Sequence, residues 1–101
     1  MEKQLDKLFT WAFVLGKKLK EKDSKYGEIL IFDLRSEETP GRFFNKLALR
    51  IADFNKRLGI EVTLSPDIIH QKLKGDNFYY VKAAILSGLI NSIYSNKKEN
   101  E

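Results

Sequence analysis

Four cations stand on one stretch of this 101-residue chain with the spacing of a phosphate-binding row. In "TPGRFFNKLALRIADFNKRLG", residues 39–59, Arg42, Lys46 and Arg50 recur at steps of four and Arg57 follows seven residues later. On a helix such steps set charged groups one turn apart, roughly 6 Å along the axis. That is close to the separation of successive phosphates on an extended strand. Lys56 lies at the edge of the cluster, and Asp53 is the one acid on the same helix face. Three of the four cations are arginines, whose planar fork grips phosphate bidentately. A face that is merely solvated tends to mix signs and gain i,i+4 pairs. The lopsided sign here therefore favours a polyanion. The plain alternative is that any amphipathic helix has a polar face, and Lys and Arg are good helix formers.

Further cations sit at Lys17, Lys18, Lys20 and Lys22 in "GKKLKEK", and at Lys72 and Lys74. Two such clusters on one side of the fold would make a basic groove. Contacts from such a groove would position nucleic acid by its backbone without reading bases. No helix-turn-helix, RNP-type aromatic motif or zinc finger is present to add sequence specificity. Tyr26, Tyr79, Tyr80 and Tyr94 are able to stack on bases, although Tyr79 and Tyr80 are expected to pack at the start of the last helix.

Catalytic chemistry finds little to work with. His70 is the single histidine and cysteine is absent, so a His/Cys metal site, a Cys–His pair and a disulfide framework cannot be built within one chain. The serines lack a nucleophile-elbow context, and Ser65 reads as a helix cap. Gly27, Gly41, Gly59 and Gly75 stand singly at expected element boundaries and form no phosphate loop. Glu28, Asp33, Glu37 and Glu38 have no metal-binding spacing and read as capping and solvated residues. The expectation is a non-enzyme that needs no metal and no cofactor.

Composition agrees with one intracellular domain. The chain is 43% hydrophobic and 32% charged, long enough to bury a core without staples. Its 18 Lys and Arg against 14 Asp and Glu leave a net charge of +4; the pI is about 9.3. That excess favours acidic or polyanionic partners without proving them. The short apolar run "LFTWAFVLG" is followed by lysines rather than a cleavage site. No apolar run reaches the length of roughly 18 residues needed to span a bilayer. The chain reads as soluble and cytoplasmic, without a membrane partner.

The elements that must carry these residues are helical. A first helix is expected over about residues 3–22, with Leu5, Leu8, Phe9, Ala12, Leu15, Gly16 and Leu19 on one face, Trp11 and Phe13 at its flanks and Val14 nearly opposite. "ILIF", residues 29–32, is too short for periodicity to choose between strand and helix. No strand of comparable quality exists to pair with it, since "IEVTL" makes only a weak claim, so a short buried helix is preferred. The opening stretch has Thr39 as N-cap, Pro40 at the first helical position and Gly59 at C′. Its inner face is Phe44, Leu47, Ala48, Ile51, Asn55 and Leu58, widened by Phe43 and Phe54. A short helix follows, capped by Ser65 and ending at Gly75. A last helix from Asp76 or Asn77 to about Tyr94 is apolar nearly all round and is expected at the centre. Within it Ala84, Gly88 and Ser92 clear a strip for close helix approach. The whole is expected to be all-α, a compact bundle of four to five helices over residues 1–95, with 96–101 a frayed polar tail.

The order of these pieces resembles a known family. "TPGRFFNKLALRIADF" as a Thr-Pro-capped middle helix, followed by "FYYVKAAILSGLINSIY" as a near-apolar last helix, resembles the small subunits of Cascade-type (type I) CRISPR effector complexes. The resemblance runs from about Leu5 to Tyr94 and rests on layout rather than on invariant motifs. It implies a non-catalytic subunit of a ribonucleoprotein complex, present in several copies stacked head to tail beside the RNA-bearing backbone. Its basic face would contact the target or displaced DNA strand and stabilise the R-loop. In some systems such a subunit is made from an internal start within the large-subunit gene, and a Met1 at the lip of a helix would suit that origin. The residues that would carry the contact are Arg42, Lys46, Arg50, Arg57, Lys17, Lys18 and Lys20. The Ala84–Gly88–Ser92 strip, or Trp11 and Phe13, would serve head-to-tail stacking unless packing within the chain takes them up. The competing expectation is a small helical interaction module, an adaptor or a phage or viral protein, that binds an acidic partner without nucleic acid. A third, a homodimeric DNA-binding regulator, lacks a recognition helix.

Overall fold

A computed structural model describes residues 2–65 and 77–95, and these form an all-helical bundle. Its elements are α1 (Glu2–Lys22), α2 (Ser24–Arg35), α3 (Pro40–Leu58) and α4 (Phe78–Tyr94). The expected helix after Ser65, with His70, Lys72 and Lys74, lies outside the described residues, as does the expected tail at 96–101.

A single residue separates α1 from α2. Asp23 donates its N–H to the Leu19 carbonyl at 2.8 Å, and its carboxylate accepts from the Lys25 N–H at 3.0 Å. One residue thus closes the first helix with its backbone N–H and opens the second with its side chain. Residues 29–32 are helical, as preferred, but the helix is not fully buried. α2 hides only Gly27, Leu30, Ile31 and Leu34, at three- and four-residue steps, while Phe32 is 71% exposed. The four-residue apolar run straddles both faces of an amphipathic helix that is longer than the run itself. Gly27, expected at a boundary, sits inside α2, where an added Cβ would collide with the Ile93 side chain of α4.

α3 follows its local signals. Thr39 accepts from the Arg42 N–H at 3.4 Å, Pro40 begins the helix, and Gly59 ends it in the left-handed region at φ 68°. Beyond it the chain is non-helical, with Glu61 also in the left-handed region at φ 51°. Asn55, a polar residue on the inner face of α3, holds that segment with both ends of its amide. It donates to the Val62 carbonyl at 2.5 Å and accepts from the Val62 N–H at 2.7 Å. Trp11 of α1 donates to the Thr63 carbonyl at 2.9 Å. Ile60 and Val62 are buried beneath this clamp, so "IEVTL" is a strap tied by side chains, and no strand forms among the described residues.

α1 and α4 make the main packing of the bundle and run parallel. Gly16 faces Ser92, while Phe9, Ala12 and Phe13 face Gly88. A Cβ on Gly88 would strike the Phe9 carbonyl oxygen and come within 2.8 Å of the Ala12 Cβ. The small-residue strip therefore serves the inside of the chain. It is not free for contact between copies. α2 runs antiparallel to α4, with Gly27 near Ile93 at one end and Lys82 at the Arg35 carbonyl at the other. Phe43 and Phe78 meet edge to face at 5.5 Å, and Tyr26 meets Phe54 at 5.6 Å, which seats α3 on the rest. Leu8, Leu15, Leu19, Leu30, Leu34, Leu47, Ile85 and Leu89 are wholly buried. Each contributes about 1.5–3 kcal/mol of burial before entropy is set against it. α4 is central on one side only: Tyr79, Tyr80, Ile90 and Tyr94 are 40–66% exposed, although the helix is apolar nearly all round.

Candidate nucleic-acid interface

The row on α3 exists as a row, but its charge is largely matched. Arg42 Nε lies 3.4 Å from a Glu37 carboxylate oxygen. Arg50 donates from Nε to Asp33 Oδ2 at 2.6 Å and brings a second nitrogen to the same oxygen, tying α3 to α2. Arg57 meets Asp53 at 3.3 Å, one turn back on its own helix. Among the described residues every arginine of the row is therefore paired, and Lys46, half-buried, stands outside these ion pairs. Asp33 and Glu37, which read as capping and solvated acids, are counterions of the row. They come from α2 and the loop after it, so a wheel drawn on α3 alone misses them. The three pairs differ in kind. Arg42 and Arg57 keep 78% and 62% of their side chains in solvent, although Glu37, the partner of Arg42, keeps only 17%; Arg50 keeps 35% and Asp33 17%. Exposed pairs are soft and exchange readily for a phosphate, but the half-buried Arg50 pair is a structural tie.

The lysines of α1 present the opposite case. Lys17, Lys18, Lys20 and Lys22 take part in no ion pair among the described residues. Lys17 lies 6.0 Å from the centroid of the Phe13 ring, and Lys20 reaches the Ser92 carbonyl at 3.5 Å. Between them is an open cavity of about 420 Å³, lined by Phe13, Lys17, Lys20, Glu21, Ser92 and Ser95. Glu21 is the one acid in that lining. Lys18 borders a second hollow of about 300 Å³ with Trp11 and Val62. This end of the bundle, where α1 and α4 finish side by side, carries ammonium groups without an ion-pair partner among the described residues. Lys17 and Lys20 of α1 border the end of α4, Lys18 borders the segment after α3, and Arg42 and Arg50 meet the loop after α2 and α2 itself.

Two further cations, Lys82 and Arg35, have no binding role in the sequence reading. Lys82, the one charged residue of α4, turns to the end of α2 and donates to the carbonyls of Arg35 at 3.1 Å and Glu37 at 2.7 Å. A cation at a helix C-terminus satisfies carbonyls that have no partner within the helix. A lone Lys in an apolar helix is the sequence signal for such a role. Arg35 is exposed at the same corner. Tyr79 and Tyr80, expected to pack inward, are 66% and 62% exposed.

Among the described residues no group of three or more His, Cys, Asp or Glu side chains is placed to hold a metal ion. No described helix is long and apolar enough to cross a membrane. No known protein family, curated protein or solved structure matches this chain.

Proposed function

We propose that this chain is a non-catalytic small subunit of a Cascade-type CRISPR effector complex, contacting the target or displaced strand through its phosphates and stabilising the R-loop. The observation that carries the nucleic-acid part is the set of lysines at the end of α1, which have no counterion among the described residues and flank an open cavity. The CRISPR part rests on the helical layout described above. R-loop formation exchanges base pairs of nearly equal stability, so a few backbone contacts are enough to tip it. Such contacts require no catalytic residue and no cofactor.

The test is binding of labelled single- and double-stranded DNA across a salt titration. Log affinity should fall linearly with log salt, and Lys17→Ala/Lys18→Ala/Lys22→Ala should weaken binding with a slope shallower by about 2–3. Binding that ignores salt would refute the phosphate reading. A second reading, an interaction module without nucleic acid, draws on the exposed uncharged arc of Ile90 and Tyr94 on α4, which has the composition of a protein contact. Under that reading the same titration shows no binding of either DNA.

A further inference from the structure

We infer that the corner formed by the end of α2, the start of α3 and the start of α4 is a base-stacking site for single-stranded nucleic acid, built on Tyr79 and Tyr80. This inference rests on the nucleic-acid reading above and deepens it by naming the strand form and a second point of contact. Tyr79 is held rather than loose: its ring lies 5.2 Å from that of Phe78, which is buried against Phe43. Phe78 is only 3% exposed, so Tyr79 stands on a rigid aromatic base while two thirds of it faces solvent. Tyr80, 62% exposed, stands about 100° further round the helix, on the side away from Lys82.

Cations lie at the same corner. Tyr79 and Lys82 are three residues apart and share a helix face. Lys82 is bonded to the Arg35 and Glu37 carbonyls, and Glu37 in turn pairs with Arg42. Arg35 and Arg42 are both exposed, and the Arg42 guanidinium, 78% in solvent, meets the half-buried Glu37 carboxylate through a single 3.4 Å contact that a phosphate is able to replace. Exposed aromatic rings beside arginines are what single strands use, because every base has a π-face and every link a phosphate. A duplex hides those faces, and an acidic peptide has no use for the rings. The ligand is therefore a single strand, with one or two bases on the tyrosines and the neighbouring phosphates on Arg35 and Arg42.

The experiment compares three ligands on the whole chain: an unstructured 12-nucleotide single strand, the same strand with abasic sites replacing its bases, and a duplex of equal length. The wild type should prefer the intact strand to the abasic strand by about tenfold or more. Tyr79→Ser/Tyr80→Ser, both at exposed positions, should erase that preference while leaving the salt slope unchanged, because no phosphate contact is lost. Arg35→Ala/Arg42→Ala should instead lower the slope by about 1–2. Equal affinity of the wild type for intact and abasic strands would overturn the stacking site and leave phosphate binding intact. Polyglutamate bound as tightly as the intact strand would also overturn it. Failure to bind all three at low salt would overturn the nucleic-acid reading and this inference with it.

Discussion

The lysine end of α1 and the arginine row of α3 carry similar charge, and the fold treats them differently. On α3 the arginines meet Glu37, Asp33 and Asp53, so much of the field is cancelled at its source. On α1 the lysines meet an aromatic ring, a carbonyl and solvent. A guanidinium that bridges two helices cannot also bind a phosphate without releasing its partner. An ammonium lying over Phe13 is free to do so. The count of cations along a helix is therefore a poor measure of its pull on a polyanion. What matters is which neighbouring element supplies the anions.

The contrast is most easily broken at the support beneath the α1 lysines. Gly88→Ala puts a methyl group into the Phe9 carbonyl and should lower stability by about 2–3 kcal/mol, read as a drop in the urea midpoint. Gly41→Ala, whose Cβ meets open space, should not lower it and provides the control. Next in size is the tie between α2 and α3. Arg50→Ala leaves Asp33 partly buried without its partner and should lower stability by about 1–2 kcal/mol, with little change in salt slope for DNA. A marked loss of slope there would mean that Arg50 faces the ligand after all. The smallest effect belongs to Arg57→Ala, which removes an exposed i,i+4 pair and should move stability by less than about 0.5 kcal/mol in urea unfolding.

Local signals in the sequence are enough to place α3, because Thr39, Pro40 and Gly59 act within a turn of where they stand. The apolar periodicity of α1 and α3 makes the helical class legible, and the length of the apolar run does the same for the last helix. The electrostatics are less legible, because Asp33 lies 17 residues from Arg50 and reaches it only once α2 and α3 pack antiparallel. The surface of α4 is hidden for a different reason. A helix apolar all round does not reveal which arc its neighbours will cover, and Gly88 and Ser92 facing α1 turn Tyr79 and Tyr80 outward. Asn55 was visible as a polar residue on an apolar face, but its partner, the Val62 backbone, was not.

The most direct test sets the two clusters against each other in one salt titration with single-stranded DNA. The Lys17→Ala/Lys18→Ala/Lys22→Ala variant and an Arg42→Ala/Lys46→Ala/Arg57→Ala variant each lose three cations. If uncompensated charge governs binding, the first should lose about 2–3 from the slope and the second about 1. A larger loss in the second variant, with its helical signal intact, would contradict the account and return the interface to α3.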